Sequence, residues 1–299
     1  MGTLKTKPKS RPKPQPRMNM SIVFLNQAYM NDEDAKISPF DRGFLFAQSV
    51  YEVAPIVKGK IGFFKELKTR LANSLNALGI THKSCSIEEL EPMFYELISK
   101  NKLQEGGLYL QISTGLPGMK RDFPTPKDIA PTIFAYVYPC EVLSLKPEID
   151  VVFLPEIRWQ RRDVKTTNLL AQVMTKDLAQ AQGADEAFFV ERGFITEASS
   201  ANAYIIKNGV LFTKPLSNEI LPGLRRIWVL EIAKSLGLEV REEAFTPQMA
   251  KEADECFISA ATILLVAVKS IEAVSLPSQK PYFHKLREAM AARLIKECD

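Results

Sequence analysis

Lys165 and Glu197 each stand inside a short segment whose residue types suit one kind of chemistry. The first segment, Arg161-Arg162-Asp163-Val164-Lys165-Thr166-Thr167-Asn168-Leu169-Leu170, offers an amine just ahead of a helical pattern. The second, Phe194-Ile195-Thr196-Glu197-Ala198-Ser199-Ser200-Ala201-Asn202, offers a carboxylate followed by hydroxyls and an amide in a turn between strands. A lysine forms a Schiff base with an aldehyde cofactor, and an acid keeps that cofactor's pyridine nitrogen protonated so that the ring accepts electrons when a Cα proton departs. The amine, once released, then serves as the base that moves this proton. Pyridoxal 5'-phosphate is the cofactor that such a pair serves. Arg161 and Arg162 flank the lysine, and their positive charge with partial burial is expected to favour the free amine.

Two halves of the chain must bring these groups together. Residues 21–30 and 49–64 are rich in β-branched and aromatic residues, and Lys58-Gly59-Lys60 marks a turn, which predicts strands and a hairpin. Leu67, Leu71, Leu75 and Leu78 ahead of Gly79 predict an amphipathic helix, and a second helix is expected over 87–100. Strands are expected at 107–114 and 131–138, joined by a Pro- and Gly-rich basic loop that contains Lys120 and Arg121. Residues 18–139 then make a small α+β domain, 140–147 a linker and 148–299 a larger domain, with 1–17 standing apart. The larger part reads as a strand at 150–155, a helix over 168–182 and short strands at 185–190, 203–206, 210–213, 239–241 and 255–259. A helix opens near Pro222 and another covers 282–296. Strands joined partly by hairpins and partly by helices predict a mixed, barrel-like α/β sheet instead of a doubly wound one.

Composition narrows the function classes. At 299 residues and 46% hydrophobic content the chain can bury two moderate cores. Lys5, Lys7, Lys9, Arg11, Lys13 and Arg17 put six positive charges and no acid into an arm of seventeen residues, so the net charge of +4 falls near −2 for the rest. Pro8, Pro12, Pro14 and Pro16 favour an extended, solvated conformation there, so 1–17 is expected to be a disordered basic arm. It lacks the interleaved aromatics that stack on bases, so nucleic acid is not an expected partner. The apolar run over 260–268 is too short to span a bilayer, and no secretion signal opens the chain. No membrane partner is expected, and the cytoplasm is the expected location. Cys85, Cys140, Cys256 and Cys298 lack paired metal-ligand spacing and read as reduced residues. With only His82 and His284 present, neither a His-rich metal site nor a serine–histidine triad is expected.

Asp41-Arg42-Gly43 with Val50-Tyr51-Glu52, then Asp163-Val164-Lys165, Thr196 through Asn202, and Ile220-Leu221-Pro222-Gly223-Leu224-Arg225-Arg226 follow one another in a telling order. From about residue 22 onward, their order and separations resemble the fold-type IV (class IV) pyridoxal phosphate aminotransferases. Among the subfamilies the chain looks most like D-amino acid aminotransferases, through Asp41-Arg42-Gly43-Phe44, Val50-Tyr51-Glu52-Val53 and Asn168-Leu169-Leu170. (R)-selective amine transaminases, branched-chain aminotransferases and aminodeoxychorismate lyases share the fold and the cofactor chemistry.

The resemblance implies a homodimer with the cofactor between its two domains. It implies ping-pong transamination of a D-amino acid with a 2-oxo acid such as 2-oxoglutarate or pyruvate. It makes Lys165 the Schiff-base lysine, Glu197 the partner of the pyridine nitrogen and Arg70 the phosphate-binding arginine. Gly223, Leu224 and Arg225 fall where the family cradles phosphate at a helix N-terminus. Relatives often carry a hydroxyl at the Arg225 position and a threonine at Ala261. Backbone donors, assisted by Arg225 or Thr262, are therefore expected to carry more of the grip here, and Ser199 and Ser200 to add hydroxyl contacts. D-amino acid aminotransferases trap the substrate carboxylate with a tyrosine, an arginine and a histidine, and the matching positions are Phe44, Thr114 and Arg121. Two of the three donors are missing, and a buried carboxylate needs a partner, so Arg121 or Lys120 is the expected substitute. Pro55 stands where many relatives have a lysine. The apolar Phe44 makes an (R)-selective amine transaminase the first rival reading.

Overall fold

The computed structural model describes residues 21–119, 121–126 and 129–299, so the basic arm and Lys120 lie outside the described residues. In the first half β1 (Ile22–Leu25), β2 (Ala28–Asn31), β3 (Ser49–Val57), β4 (Lys60–Ile61), β5 (Gly106–Ser113) and β6 (Thr132–Pro139) form an antiparallel sheet in the order β2-β1-β6-β5-β3-β4. A short helix, α1 (Arg42–Phe46), precedes β3, and α2 (Phe64–Ala77) and α3 (Ile87–Lys100) follow the hairpin. Side chains alternate along each strand. Val50, Ala54, Leu108, Leu110, Ile112 and Ala135 are buried in the core shared with α2 and α3. The opposite face carries Tyr51, Tyr109, Gln111, Phe134 and Tyr136, with Tyr109 stacked 5.9 Å from Tyr51 and 5.0 Å from Tyr136.

The second half contributes β7 (Ile149–Pro155), β8 (Glu186–Glu191), β9 (Phe194–Ala198), β10 (Asn202–Lys207), β11 (Val210–Phe212), β12 (Glu239–Arg241), β13 (Glu255–Ala260), β14 (Ile263–Ile271) and β15 (Val274–Ser275). Their order is β12-β11-β10-β13-β14-β7-β8-β9, with β15 on the side of β14. Parallel pairing of β11 with β12, β14 with β7 and β7 with β8 among antiparallel neighbours makes the sheet mixed and barrel-like, as expected. The helices are α4 (Leu170–Ala181) between β7 and β8, α5 (Leu224–Ser235) between β11 and β12, α6 (Pro247–Lys251) and α7 (Pro281–Glu297). Among the described residues no helix is long and apolar enough to cross a membrane. All four cysteines are free thiols.

Several elements escape the sequence patterns, among them β9, α6 and β15, and for two others the physical reason is plain. The apolar run over 260–268 belongs largely to β14, which lies between β13 and β7. A strand buried on both faces reads as a continuous apolar stretch, so alternation could not flag it. The five-residue α1 shows no period either; Asp41 caps it by accepting the Gly43 N–H at 2.7 Å. The halves join through aromatic packing. Phe63, just ahead of α2, stacks 3.9 Å from Trp228 of α5, and its N–H donates to Glu297 of α7 at 2.9 Å. Both rings are fully buried, so truncating either would cost about 3–5 kcal/mol.

Candidate active site

The loop from β7 to α4 presses Lys165 against the first sheet. Its N–H donates to the Ser74 hydroxyl of α2 at 3.2 Å, and its carbonyl accepts the Tyr51 N–H at 3.0 Å. The Thr167 N–H donates to the Ser49 carbonyl at 3.1 Å, and Val50 bridges Thr166. Lys165 is only 8% exposed, and its Nζ lies 3.9 Å from the centroid of the Tyr51 ring, a cation–π arrangement. Carboxylates engage both flanking arginines. Arg161 forks onto Asp163 at 2.9 Å, and buried Arg162 pairs with Glu191 at 3.0 Å and Glu156 at 3.2 Å.

Glu197, on β9, is fixed from three sides. It accepts from Arg158 in a short ion pair, from Asn202 Nδ2 at 3.0 Å and from the Leu221 N–H at 3.3 Å. Burial pushes its carboxyl above the usual range, while Arg158 pulls the other way. Arg158 also pairs with Glu156 at 2.6 Å, and the Thr196 hydroxyl donates to the same carboxylate at 2.9 Å. Burial alone would raise Glu156, but the hydrogen bond and charge of Arg158 outweigh it and hold that carboxyl below the usual range. Arg158 and Arg162 thus face three carboxylates, Glu156, Glu191 and Glu197. The surplus negative charge favours a protonated partner at Glu197.

A cationic end lies across from these groups. Gly223 is the N-cap of α5, and no side chain caps the helix, so the N–H groups of Leu224 and Arg225 have no intrahelical acceptor. A β-carbon at position 223 would lie 1.9 Å from Asn202 Oδ1, so any side chain there would have to displace the amide that donates to Glu197. Arg70 forks onto Glu52 at 2.9 and 2.6 Å and donates to the Pro222 carbonyl at 3.2 Å. Arg225 is 3% exposed, yet its Nε and Nη2 have no hydrogen-bond partner. Burial, and then the neighbouring Arg70 charge, bring its guanidinium down to about 9. A buried guanidinium that stacks over the Phe63 ring at 4.6 Å and keeps two nitrogens without acceptors, beside a helix N-terminus, is suited to an anion.

Lys165, Glu197, Arg70, Ser200, Leu224, Arg225 and Ala261 line one cavity of about 310 Å³. Among the described residues no cluster of side chains could hold a metal ion. The model of the Amino-transferase class IV family matches residues 49–271. The chain is 34% identical over 255 residues to the D-alanine aminotransferase of Staphylococcus aureus (strain N315), covering 85% of this chain and 90% of that protein. It is also 34% identical over 268 residues to the D-alanine aminotransferase of Bacillus licheniformis, covering 88% and 92%.

The chain belongs to the class IV aminotransferases.

Solved structures agree on the fold of this class IV aminotransferase. The branched-chain amino acid aminotransferase of Escherichia coli superposes with a TM-score of 0.83 at 24% identity, over 94% of this chain and 96% of that one. The branched-chain aminotransferase of Thermoproteus uzoniensis, solved with norvaline, gives 0.82 at 23% identity, over 94% and 96%.

Not every residue expected in the site of this aminotransferase lines that cavity. The Thr262 side chain interacts with Tyr138 instead. Ser199 and Ser200 both line the cavity, but the Ser199 hydroxyl already donates to Glu186 at 2.5 Å. Phe44, 75% exposed, lines a second cavity of about 520 Å³ with Gln111, Phe134 and Thr167. The Thr114 hydroxyl donates to the Gln48 carbonyl at 3.0 Å. Arg121 packs over the rings of Phe46 and Phe123, 5.3 and 5.4 Å from their centroids, and so does not supply the expected carboxylate donor within the cavity. Lys120 lies outside the described residues. Conversely, sequence reasoning missed Tyr51 and Arg158 as lining residues. Tyr51 was legible from strand alternation, since Val50 and Glu52 turn the other way. Arg158 was not, because nothing local separates it from Arg161 and Arg162.

Proposed function

We propose that this chain is a pyridoxal 5'-phosphate enzyme that transaminates a D-amino acid with a 2-oxo acid, pyruvate or 2-oxoglutarate, as a cytoplasmic homodimer. The observation that carries the cofactor is the buried Arg225 at the start of α5, two of whose nitrogens lack an acceptor, in the same cavity as an amine and a surplus carboxylate. The donor set fits a phosphorylated pyridine aldehyde: cations and helix N–H groups at one end, Glu197 at another, and Lys165 between first sheet and cavity. The D-amino acid rests on likeness to the D-alanine aminotransferases. Exposed Leu170, Val173, Met174 and Leu178 give α4 an apolar surface that supports the dimer, and light scattering at twice the chain mass is the expected result. A monomer mass would remove that part of the reading.

In this mechanism Arg225, Arg70 and the Leu224 and Arg225 N–H groups would hold the phosphate, and Glu197 would hold a proton on the ring nitrogen. When bound, the cofactor supplies an electron sink for the pair left behind by the departing Cα proton. Lys165 Nζ takes that proton from substrate Cα and returns it to the product side, a transfer general acid–base groups speed by about 10²–10⁴-fold. The Tyr51 ring restricts the sweep of Nζ, and the Arg158–Glu156 pair keeps Glu197 in register.

The test is the visible spectrum of protein mixed with pyridoxal 5'-phosphate, then with D-alanine, D-glutamate, L-leucine or (R)-1-phenylethylamine. The band of the loaded enzyme is expected to disappear with a D-amino acid. A response confined to L-leucine or to the amine would move the enzyme to another subfamily, and no band at all would remove the cofactor.

A further inference from the structure

We infer that the second cavity is the side-chain pocket of the active site and that it takes a large, uncharged aromatic group. The inference rests on the transamination reading above and names the substrate class for the same site. Tyr51, Gln111 and Phe134 are register partners across β3, β5 and β6, so their side chains stand in one row. With strands about 4.8 Å apart, that row runs roughly 10 Å from the ring beside Lys165 Nζ to the Phe134 ring. Tyr51 lines the first cavity, and Gln111 and Phe134 line the second. The loop makes the same passage, since Thr166 borders the first and Thr167 the second. The two cavities therefore share one floor, and a group attached at the reacting carbon has a continuous surface to follow.

The chemistry of the second cavity sets what may follow it. Ile37, Phe44, Ala47 and Phe134 make its apolar walls, and Tyr109 and Tyr136 extend the aromatic floor. The floor polar groups are already paired: the Tyr109 hydroxyl donates to Gln111 Oε1 at 2.8 Å, Gln111 Nε2 donates to the Ser49 hydroxyl at 3.4 Å, and Ser49 bonds Thr167. Among the described lining residues the one charged group is Asp41, whose carboxylate accepts from the Gly43 N–H and from the Ser113 and Thr132 hydroxyls. A distal carboxylate would enter without a cationic partner, whereas an aromatic ring meets rings on the floor and Phe44 at the rim. A volume near 520 Å³ falls within the roughly 300–1,000 Å³ typical of small-molecule sites.

The experiment compares kcat/KM of the cofactor-saturated enzyme within three pairs: D-phenylalanine and D-alanine, L-phenylalanine and L-alanine, (R)-1-phenylethylamine and (R)-2-butylamine. D-glutamate is added as the charged side chain. The expected result is a preference for D-phenylalanine over D-alanine and D-glutamate of about tenfold, since each ring contact contributes about two- to tenfold. Phe44→Ala should shrink the D-phenylalanine to D-alanine ratio by a similar factor, and Phe44→Arg should raise D-glutamate relative to D-phenylalanine. Phe44 is exposed, so neither change threatens folding. A silent D series with an aromatic preference in another pair would sink the D-amino acid reading and support the pocket. Turnover of D-alanine with no aromatic preference, or ratios untouched by both Phe44 variants, would overturn the pocket and leave the reaction standing.

Discussion

Lys165→Ala is expected to lower kcat/KM by at least about 10⁴-fold, because one side chain supplies both the covalent attachment and the moving proton. The measurement is paired: turnover of D-alanine, and the intact mass after borohydride reduction, which should show one added cofactor on the native chain and none on the variant. Unaltered turnover would remove Lys165 from the mechanism. Glu197→Gln is the informative companion. It keeps the side-chain volume and one accepting oxygen, and Arg158 keeps its pair with Glu156, while the new NH2 group must face one of the donors that grip the carboxylate, Arg158, Asn202 or the Leu221 N–H. The negative charge goes, and one accepting oxygen with it. Turnover should fall about 10²–10³-fold, as for loss of one preorganised electrostatic partner, while the added mass persists. Equal damage from both variants would mean that the two roles have been wrongly divided.

The second large effect concerns stability, and its sign is unusual for an active-site residue. Arg225→Met should make the cofactor-free protein more stable while weakening its hold on pyridoxal 5'-phosphate. A guanidinium brought by burial from its ordinary range to about 9 destabilises the folded form at neutral pH by an amount on the order of a few kcal/mol, offset in part by its stacking over the Phe63 ring. Because the folded form binds this proton less tightly than the unfolded form, the penalty is full below pH 9 and is lifted as pH rises from there toward the unfolded value. Stability of the cofactor-free protein should therefore rise with pH across that alkaline window, and the methionine variant should lose that component. Differential scanning at pH 7 is the direct check. The variant should melt several degrees higher without cofactor, and the cofactor should raise its melting point less than it raises that of the native chain. A cofactor-free variant less stable than the native protein would show that Arg225 already has a partner.

How much of this was legible depended on how local each feature is. Lys165 and Glu197 sit in contiguous segments whose neighbours disclose their chemistry, and Gly223 ahead of Leu224 and Arg225 announces a helix start. The barrel-like sheet followed from short strands with mixed connections, although β14 stayed hidden because both its faces are buried. The substrate side was harder, for a reason that spacing cannot carry. Phe44 is next to Gly43 in sequence, but the Asp41 cap winds that stretch into α1 and turns the ring to a different cavity. Arg121 looks available until Arg42, some eighty residues away, takes the Asp122 and Phe123 carbonyls at 2.7 and 2.8 Å and fixes the loop. Long-range partners decide such orientations, and a one-dimensional pattern does not contain them.

The stitching of the lysine loop to the first sheet also ties the two halves together at the site itself. Spreading the two halves apart would break the bonds from Tyr51 to Lys165, Thr167 to Ser49 and Lys165 to Ser74 together, at about 0.5–1.5 kcal/mol each. The same seam is reinforced where Phe63 packs against Trp228, so parting of the halves would have to undo polar and aromatic contacts at once. Amide protons at Tyr51 and Thr167 should survive in deuterated water as long as those of the deepest strands.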